Sequence, residues 1–312
     1  HFCGICGLKP TSHRLTQSGT VENLHGMEAL QFQPGPLARR VEDLTLAMRI
    51  MAEGNEWATD VQVAHVPWCG PDSVNLASLR IGVFNDEGYV QPHPAIRRAV
   101  DEAAATLRSA GAHVETIRPP DVKQGMALYF GLVGADGASG FRRLAKGSEL
   151  DRRIASILRL GGTSRWFRPA MARGLRAQGR NQLADLVLAA GPRGAADYWQ
   201  LTYEAKQYTA KVLTSLADQR IDAMIFPPHA QTAFAHGEGK PDSLVMASYA
   251  FIPNLLGIPC GVVPTTTVTA SEEENSQAGL PVGVQVAAGY WREDIVLRVM
   301  QVLEQQQDTA SK

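Results

Sequence analysis

The chain has 312 residues, is 45% hydrophobic and carries a formal charge of −1. That is enough to bury a core, in one large domain or two small ones. Its four cysteines, at 3, 6, 69 and 260, argue against a disulfide scaffold and fit a reducing compartment, and no apolar run reaches the about 18–20 residues of a spanning helix.

In chain order, His1-Phe2-Cys3-Gly4 is a dense start with no initiator methionine or signal peptide, so it reads as a cut end whose targeting is not legible. Residues 36–54 predict a helix, with Leu37, Val41, Leu44, Met48 and Met51 as one apolar stripe, Pro36 at its first position and Gly54 at its stop. Leu79 to Phe84 predicts a strand, Pro94 to Ala110 a helix with Ile96, Val100, Ala103 and Leu107 on one face, and His113 to Ile117 a second strand. That order implies a crossover onto a sheet. Gly125 to Gly179 predicts several short helices and loops. Asp197 to Leu216 predicts a long helix striped by Leu201, Ala205, Tyr208 and Val212, followed by a buried strand from Ile221 to Phe226. Cys260 to Val263 predicts a strand ended by Pro264, Glu272 to Gln277 an exposed acidic loop, Pro281 to Ala287 a half-buried strand, and Trp291 to Val302 a closing helix. No repeat or linker interrupts the pattern, so the expectation is a single α/β domain over residues 1–312.

Charge is uneven. Arg142 to Arg180 holds eleven basic residues against only Glu149 and Asp151. Such a block reads either as a solvated helical face or as a surface for anionic membrane or nucleic acid. Cys3 and Cys6 form a C-x-x-C pair with no second pair or histidine cluster, so they read as buried structural cysteines rather than a redox or zinc site. The eight histidines have no metal-binding spacing, and His93, His229 and His236 read as loop or surface residues. No G-x-G-x-x-G follows the Leu79–Phe84 strand, and no serine sits in a G-x-S-x-G elbow. From these residues alone the chain is an α/β domain without a legible catalytic set.

Five motifs add to this. His1-Phe2-Cys3-Gly4-Ile5-Cys6-Gly7-Leu8-Lys9-Pro10-Thr11 resembles the tail of the amidase signature, in which G-G-S-I-R-x-P runs into F-C-G-x-x-G-L-K-P-T. Gly35-Pro36-Leu37-Ala38-Arg39 with Val41-Glu42-Asp43 resembles the family's G-P-M-A-R-x-V-E-D. Asp222 to Pro227, Asn254 to Pro259 and Leu280 to Gln285 resemble its D-x-x-x-x-P, N-x-x-G-x-P and L-P-x-G-x-Q segments. Gly261-Val-Val-Pro, Thr266 to Ala270 and Trp291 are similar to the fatty-acid amide hydrolase branch.

The resemblance covers almost the whole chain. It implies an α/β/α sandwich around a mixed central sheet, with the N-terminal part of that fold lying before His1. It also implies hydrolysis of carboxamides, sometimes esters, without metal or organic cofactor. In the family a serine attacks the carbonyl, a second serine on a cis peptide relays protons and a lysine is the base. All three match positions before His1, so no catalytic residue is assigned in this chain, and the chain by itself is expected to be inactive. Lys9 belongs to the G-L-K-P-T turn, which the family does not use as its base. What carries over is part of the acyl-binding wall: Leu24, Leu132, Val133, Val263 and Trp291, each of which reads equally as ordinary core packing. The branch's membrane-contacting helices fall near Trp166, Phe167 and Met171. The partners implied are a small-molecule amide, no nucleic acid, a peripheral membrane surface and a second copy of the chain, with a cytoplasmic or peripheral-membrane location. An amidotransferase subunit of the same fold, or a non-catalytic binding module, are the other readings.

Overall fold

The computed structural model describes the chain except residues 22, 23, 25, 55–59, 152, 153, 156, 157, 159, 160, 239–241, 273–276, 311 and 312, and except the side chains of 307–310. The elements run β1 (Cys6–Lys9), β2 (Leu37–Ala38), α1 (Val41–Ala52), β3 (Arg80–Val83), α2 (Pro94–Ser109), β4 (His113–Thr116) and α3 (Val122–Val133). They continue with α4 (Ser139–Leu144), α5 (Arg168–Ala177), α6 (Asn181–Ala189), α7 (Ala195–Asp218), β5 (Ala223–Phe226) and α8 (Asp242–Met246). The chain closes with α9 (Ser248–Leu256), β6 (Cys260–Thr267), β7 (Pro281–Ala288) and α10 (Glu293–Ala310).

The strands make one mixed sheet in the order β2-β1-β6-β7-β5-β3-β4. β3 pairs parallel with β4 and β5, while the β1–β2, β1–β6, β6–β7 and β5–β7 pairs are antiparallel. Strand side chains alternate between faces, and a strand covered on both sides is apolar throughout. β5 obeys this: Ala223 and Ile225 enter one core, Met224 and Phe226 the other. β7 sends Val282, Val284, Val286 and Ala288 to the first core and Ala287 to the second. The first core is closed by α1, α2 and α10 through residues such as Leu44, Ile96 and Val299. The second is closed by α3, α6, α7 and α9 through Met126, Leu186, Tyr208 and Leu256. Each large apolar side chain so buried contributes roughly 1.5–3 kcal/mol. The result is the α/β/α sandwich that the motifs implied.

Four local expectations are corrected. The first helix begins at Val41, not Pro36, and Leu37 is 74% exposed on β2 rather than in the helix stripe. The cause is β1: the Leu8 amide donates to Pro36 O at 3.1 Å, which holds this segment extended. β6 does not stop at Pro264 but runs to Thr267, and a register irregularity between Pro264 and Thr266 absorbs the missing N–H. β7 is buried on both faces rather than half-buried. Cys3 is exposed, so only Cys6 of the C-x-x-C pair is a buried cysteine, and both are free thiols. The acidic run is anchored where it starts: Arg98 on α2 donates to both Glu272 carboxylate oxygens, at 2.7 and 2.9 Å. Its residues 273–276 lie outside the described residues.

The basic block divides. Arg152, Arg153 and Arg159 lie outside the described residues. Arg168 is buried and donates to Thr163 O at 2.7 and 2.9 Å, so it holds the start of α5 in place. Arg176 pairs with Asp185 and Arg180 with Asp242. No helix among the described residues is long and apolar enough to cross a membrane.

Candidate functional site

The tail of the first motif is fixed by backbone pairing. Gly7, Leu8 and Lys9 of β1 pair with Val262, Gly261 and Cys260 of β6. Beyond β1, Thr11 is fully buried and ties two further segments: its amide donates to Glu293 Oε1, and its Oγ1 accepts from the Trp291 amide, both at 2.9 Å. The Ser12 amide donates to Gly257 O at 3.0 Å, and Gly257 closes α9 in the left-handed conformation that favours glycine. The Gln285 amide side chain donates to Tyr249 O at 3.0 Å. The motifs that lie far apart in sequence therefore meet around one sheet centre, where they act as joinery.

At the end of that joinery, the Gly283 amide donates to His1 Nδ1 at 3.0 Å. Phe2 stacks edge-on against His229 and Phe234, at 4.9 and 5.5 Å between ring centroids. Burial drives the His229 imidazole down to about 4, so it is neutral at neutral pH. Burial also lowers Lys9 to about 8, and its Nζ donates to Pro10 O at 2.8 Å. The Cys6 thiol is pushed up to about 12 by burial and by the Glu304 carboxylate, and Cys260 to about 12 by burial against the pull of Lys9. Neither is a thiolate nucleophile at neutral pH. Among the described residues, no three His, Cys, Asp or Glu side chains converge in a way that could hold a metal ion.

Of the expected wall residues, Leu24 and Leu132 line one cleft of about 390 Å³. That volume suits a small-molecule ligand. Met27, Ala135 and Ala195 add apolar lining, and Arg143 on α4, Arg193 just before α7 and Tyr198 in its first turn line it as well. Asp136, also in the lining, is spent locally, because its carboxylate accepts from the Ala138 and Gly140 amides and the Ser139 hydroxyl. Leu132 is also 1% exposed within the second core, and Val133, next on α3, packs half-buried against the same core. Val263 is fully buried in the first core, on β6. Trp291 follows β7 at φ 66°, with its indole 5.7 Å from the Arg14 guanidinium, which Trp68 also approaches at 5.6 Å. The structure thus joins Leu24 with Leu132, sets Val133 beside them, and places Val263 and Trp291 elsewhere.

Sequence reasoning passed over Arg193, Tyr198 and the buried pair of Glu87 and Ser248. Arg143 lay inside the basic block, but nothing in the spacing marked it as a cleft residue. The Ser248 hydroxyl donates to Glu87, whose carboxyl is pushed up to about 8, first by burial.

The family model described as Amidase matches residues 1–297. Fatty-acid amide hydrolase 1 of Sus scrofa is 30% identical over 325 residues, covering 97% of this chain and 56% of that protein. A glutamyl-tRNA(Gln) amidotransferase subunit of Picosynechococcus sp. is 27% identical over 317 residues, covering 97% of this chain and 61% of its own length. Among solved structures, a fatty acid amide hydrolase superposes with a TM-score of 0.77 at 21% identity, over 98% of this chain and 53% of that one. The chain thus spans about half the length of the curated relatives it matches.

Proposed function

The chain belongs to the amidase family, and on that footing we propose that the protein containing it hydrolyses non-peptide carboxamides with an apolar acyl chain. The observation that carries this reading is the cleft in which Leu24 and Leu132 come together. In the proposed reaction a serine oxygen bonds to the carbonyl carbon, and a base-activated relay moves its proton to the departing nitrogen. The C–N bond breaks, the amine leaves, and water releases the acyl group as an acid. The serine pair and the lysine would come from sequence before His1, in the same domain as residues 1–312. Backbone donors facing the oxyanion contribute several kcal/mol to such a step.

The test is acid release by the full-length protein from a dodecanoyl amide and from acetamide. The expected result is faster turnover of the long chain, slowed about tenfold by Leu24→Asp at the half-buried side of the cleft, because the charge desolvates poorly against an acyl chain. Equal turnover of both amides would remove the acyl-chain reading. Activity that appears only with co-purified subunits would favour the amidotransferase reading. The 312-residue chain alone is expected to resist fluorophosphonate labelling, and a labelled serine in it would overturn the assignment of catalysis to upstream residues.

A membrane-facing role for the basic segment has one specific support. Trp166 and Phe167 stand 77% and 70% exposed, with the Arg165 guanidinium 4.9 Å from the Trp166 ring. Aromatic and basic side chains so combined suit an anionic lipid surface. Arg168 is buried and is unsuited to test it; charge reversal at Arg165 and Arg173 is expected to abolish co-sedimentation with phosphatidylserine vesicles. Unchanged co-sedimentation would dismiss the idea.

A further inference from the structure

A second cleft, of about 580 Å³, shares no residue with the Leu24–Leu132 cleft. It is walled by residues 87–89 and 117–123, which follow β3 and β4, and by one side of α7. Crevices beyond the carboxyl ends of parallel strands are where open α/β sheets bind ligands. The lining is mixed in a defined way. Ile117, Val122, Val212 and Met224 give apolar surface. Glu87, Pro120, Val122 and Met224 also border a narrow apolar slot that reaches Phe84 and Phe226.

Charge then decides the ligand. Arg118 and Lys211 are exposed in the lining and have no ion-pair partner among the described residues, whereas Lys123 is held by Asp185 at 3.3 Å. The acids beside them are neutralised or engaged. Asp121 caps α3 by accepting from the Gln124 amide at 3.1 Å. Glu87 is 7% exposed, holds the Ser248 hydroxyl, and with its pKa near 8 is largely protonated at neutral pH. Tyr208 lies in the wall at 2% exposure, with its hydroxyl packed toward Gly125 of α3, so it closes the cleft rather than charging it.

We propose that this cleft binds a small monoanionic amphiphile, an aliphatic carboxylate of medium chain length, at a site separate from the Leu24–Leu132 cleft. The carboxylate lies at Arg118 and Lys211, and the chain runs over Ile117 and Met224 toward the slot. A neutral ligand would leave both cations unused, a cationic one would meet them, and a dianion would face the Asp121 carboxylate.

Titration calorimetry of the full-length protein tests this with decanoate, decanol and decyltrimethylammonium, each below its micellar concentration. Decanoate is expected to bind about tenfold more tightly than decanol, and the cationic amphiphile not at all. The double variant Arg118→Glu with Lys211→Glu is expected to weaken decanoate about tenfold or more and leave decanol unchanged. Both positions are exposed, so the fold tolerates the change. Arg49→Glu with Lys206→Glu, both exposed and outside both clefts, is expected to have no effect. The proposal fails if decanol matches decanoate, if the 118/211 variant binds as before, or if the 49/206 variant causes the same loss.

Discussion

Glu87 is a buried carboxyl whose ionisation works against this fold. Burial holds its carboxyl at about 8 against an ordinary 4.5, although the Ser248 hydrogen bond pulls the other way. The folded state therefore grips this proton more tightly than the unfolded chain does. Stability from this source is fully present below about pH 4.5, declines as pH rises, and is gone above about 8. The loss amounts to a few kcal/mol at full ionisation. Glu87→Gln keeps the shape and abolishes the titration, so its urea midpoint above pH 8 is expected to exceed that of the parent protein. Identical pH profiles for the two would show that Glu87 does not titrate in this window. Two glycines give a contrasting pair. A Cβ on Gly35 would lie 1.9 Å from Leu8 O, a backbone atom that cannot move without breaking β1. Gly35→Ala should cost about 3 kcal/mol or more. Gly174 lies inside α5 with nothing within 4 Å of an added Cβ. Gly174→Ala should stabilise by roughly 0.5–1 kcal/mol, read in the same urea series.

At the scale of elements, α3 links cap to cleft. The Asp121 carboxylate caps its first turn, and Leu132 near its last turn lines the 390 Å³ cleft. Asp121→Ala is expected to cost about 1 kcal/mol and to raise hydrogen exchange in the first turn of α3. Unchanged exchange there would mean that the cap carries no load. This helix also shows what the sequence could convey. α2, α7, β5 and α10 were legible because their apolar spacing is uninterrupted; the structure moves the ends of the first three by one or two residues, while α10 runs on from Val302 to Ala310. α3 was blurred because the stretch from Gly125 on reads only as short helices and loops. Yet Gly125 sits inside α3 because a Cβ would lie 2.8 Å from the Tyr208 hydroxyl oxygen and 2.4 Å from Ile252, so this glycine marks a close contact rather than a break. β1 and β2 escaped periodicity, since β1 carries Gly7 and Lys9 among its four residues, where β5 is apolar throughout, and β2 has only two. For the wall residues, resemblance supplied positions but not neighbours. It could not tell that Leu132 and Leu24 line one cleft while Val263 lies in the core on the sheet's other face, because that depends on the packing of α3 and β6 in three dimensions.

At the scale of the whole molecule, the exposed apolar side chains are unevenly placed. Val21, Phe32, Leu37, Leu46, Ile50 and Val61 all stand exposed within a span of 41 residues in the sequence. Scattered exposed apolar residues are ordinary, but Leu46 and Ile50 are four apart and share one face of α1. The opposite face of α1 is already buried through Val41, Leu44 and Met48. A helix apolar on two faces is normally covered on both. β2, next to it, is a two-residue strand at the sheet edge with Leu37 74% exposed, too short to template pairing but adding apolar surface beside α1. The 312-residue chain by itself is therefore expected to self-associate through this face. Light scattering behind size exclusion should give a mass that rises with concentration, and Leu46→Glu with Ile50→Glu should return it to that of one chain. The substitutions touch no buried residue of α1, so far-ultraviolet circular dichroism should be unchanged. A chain that stays monodisperse at every concentration would show that the exposed face of α1 needs no cover, and that the apolar side chains of this region are solvated singly.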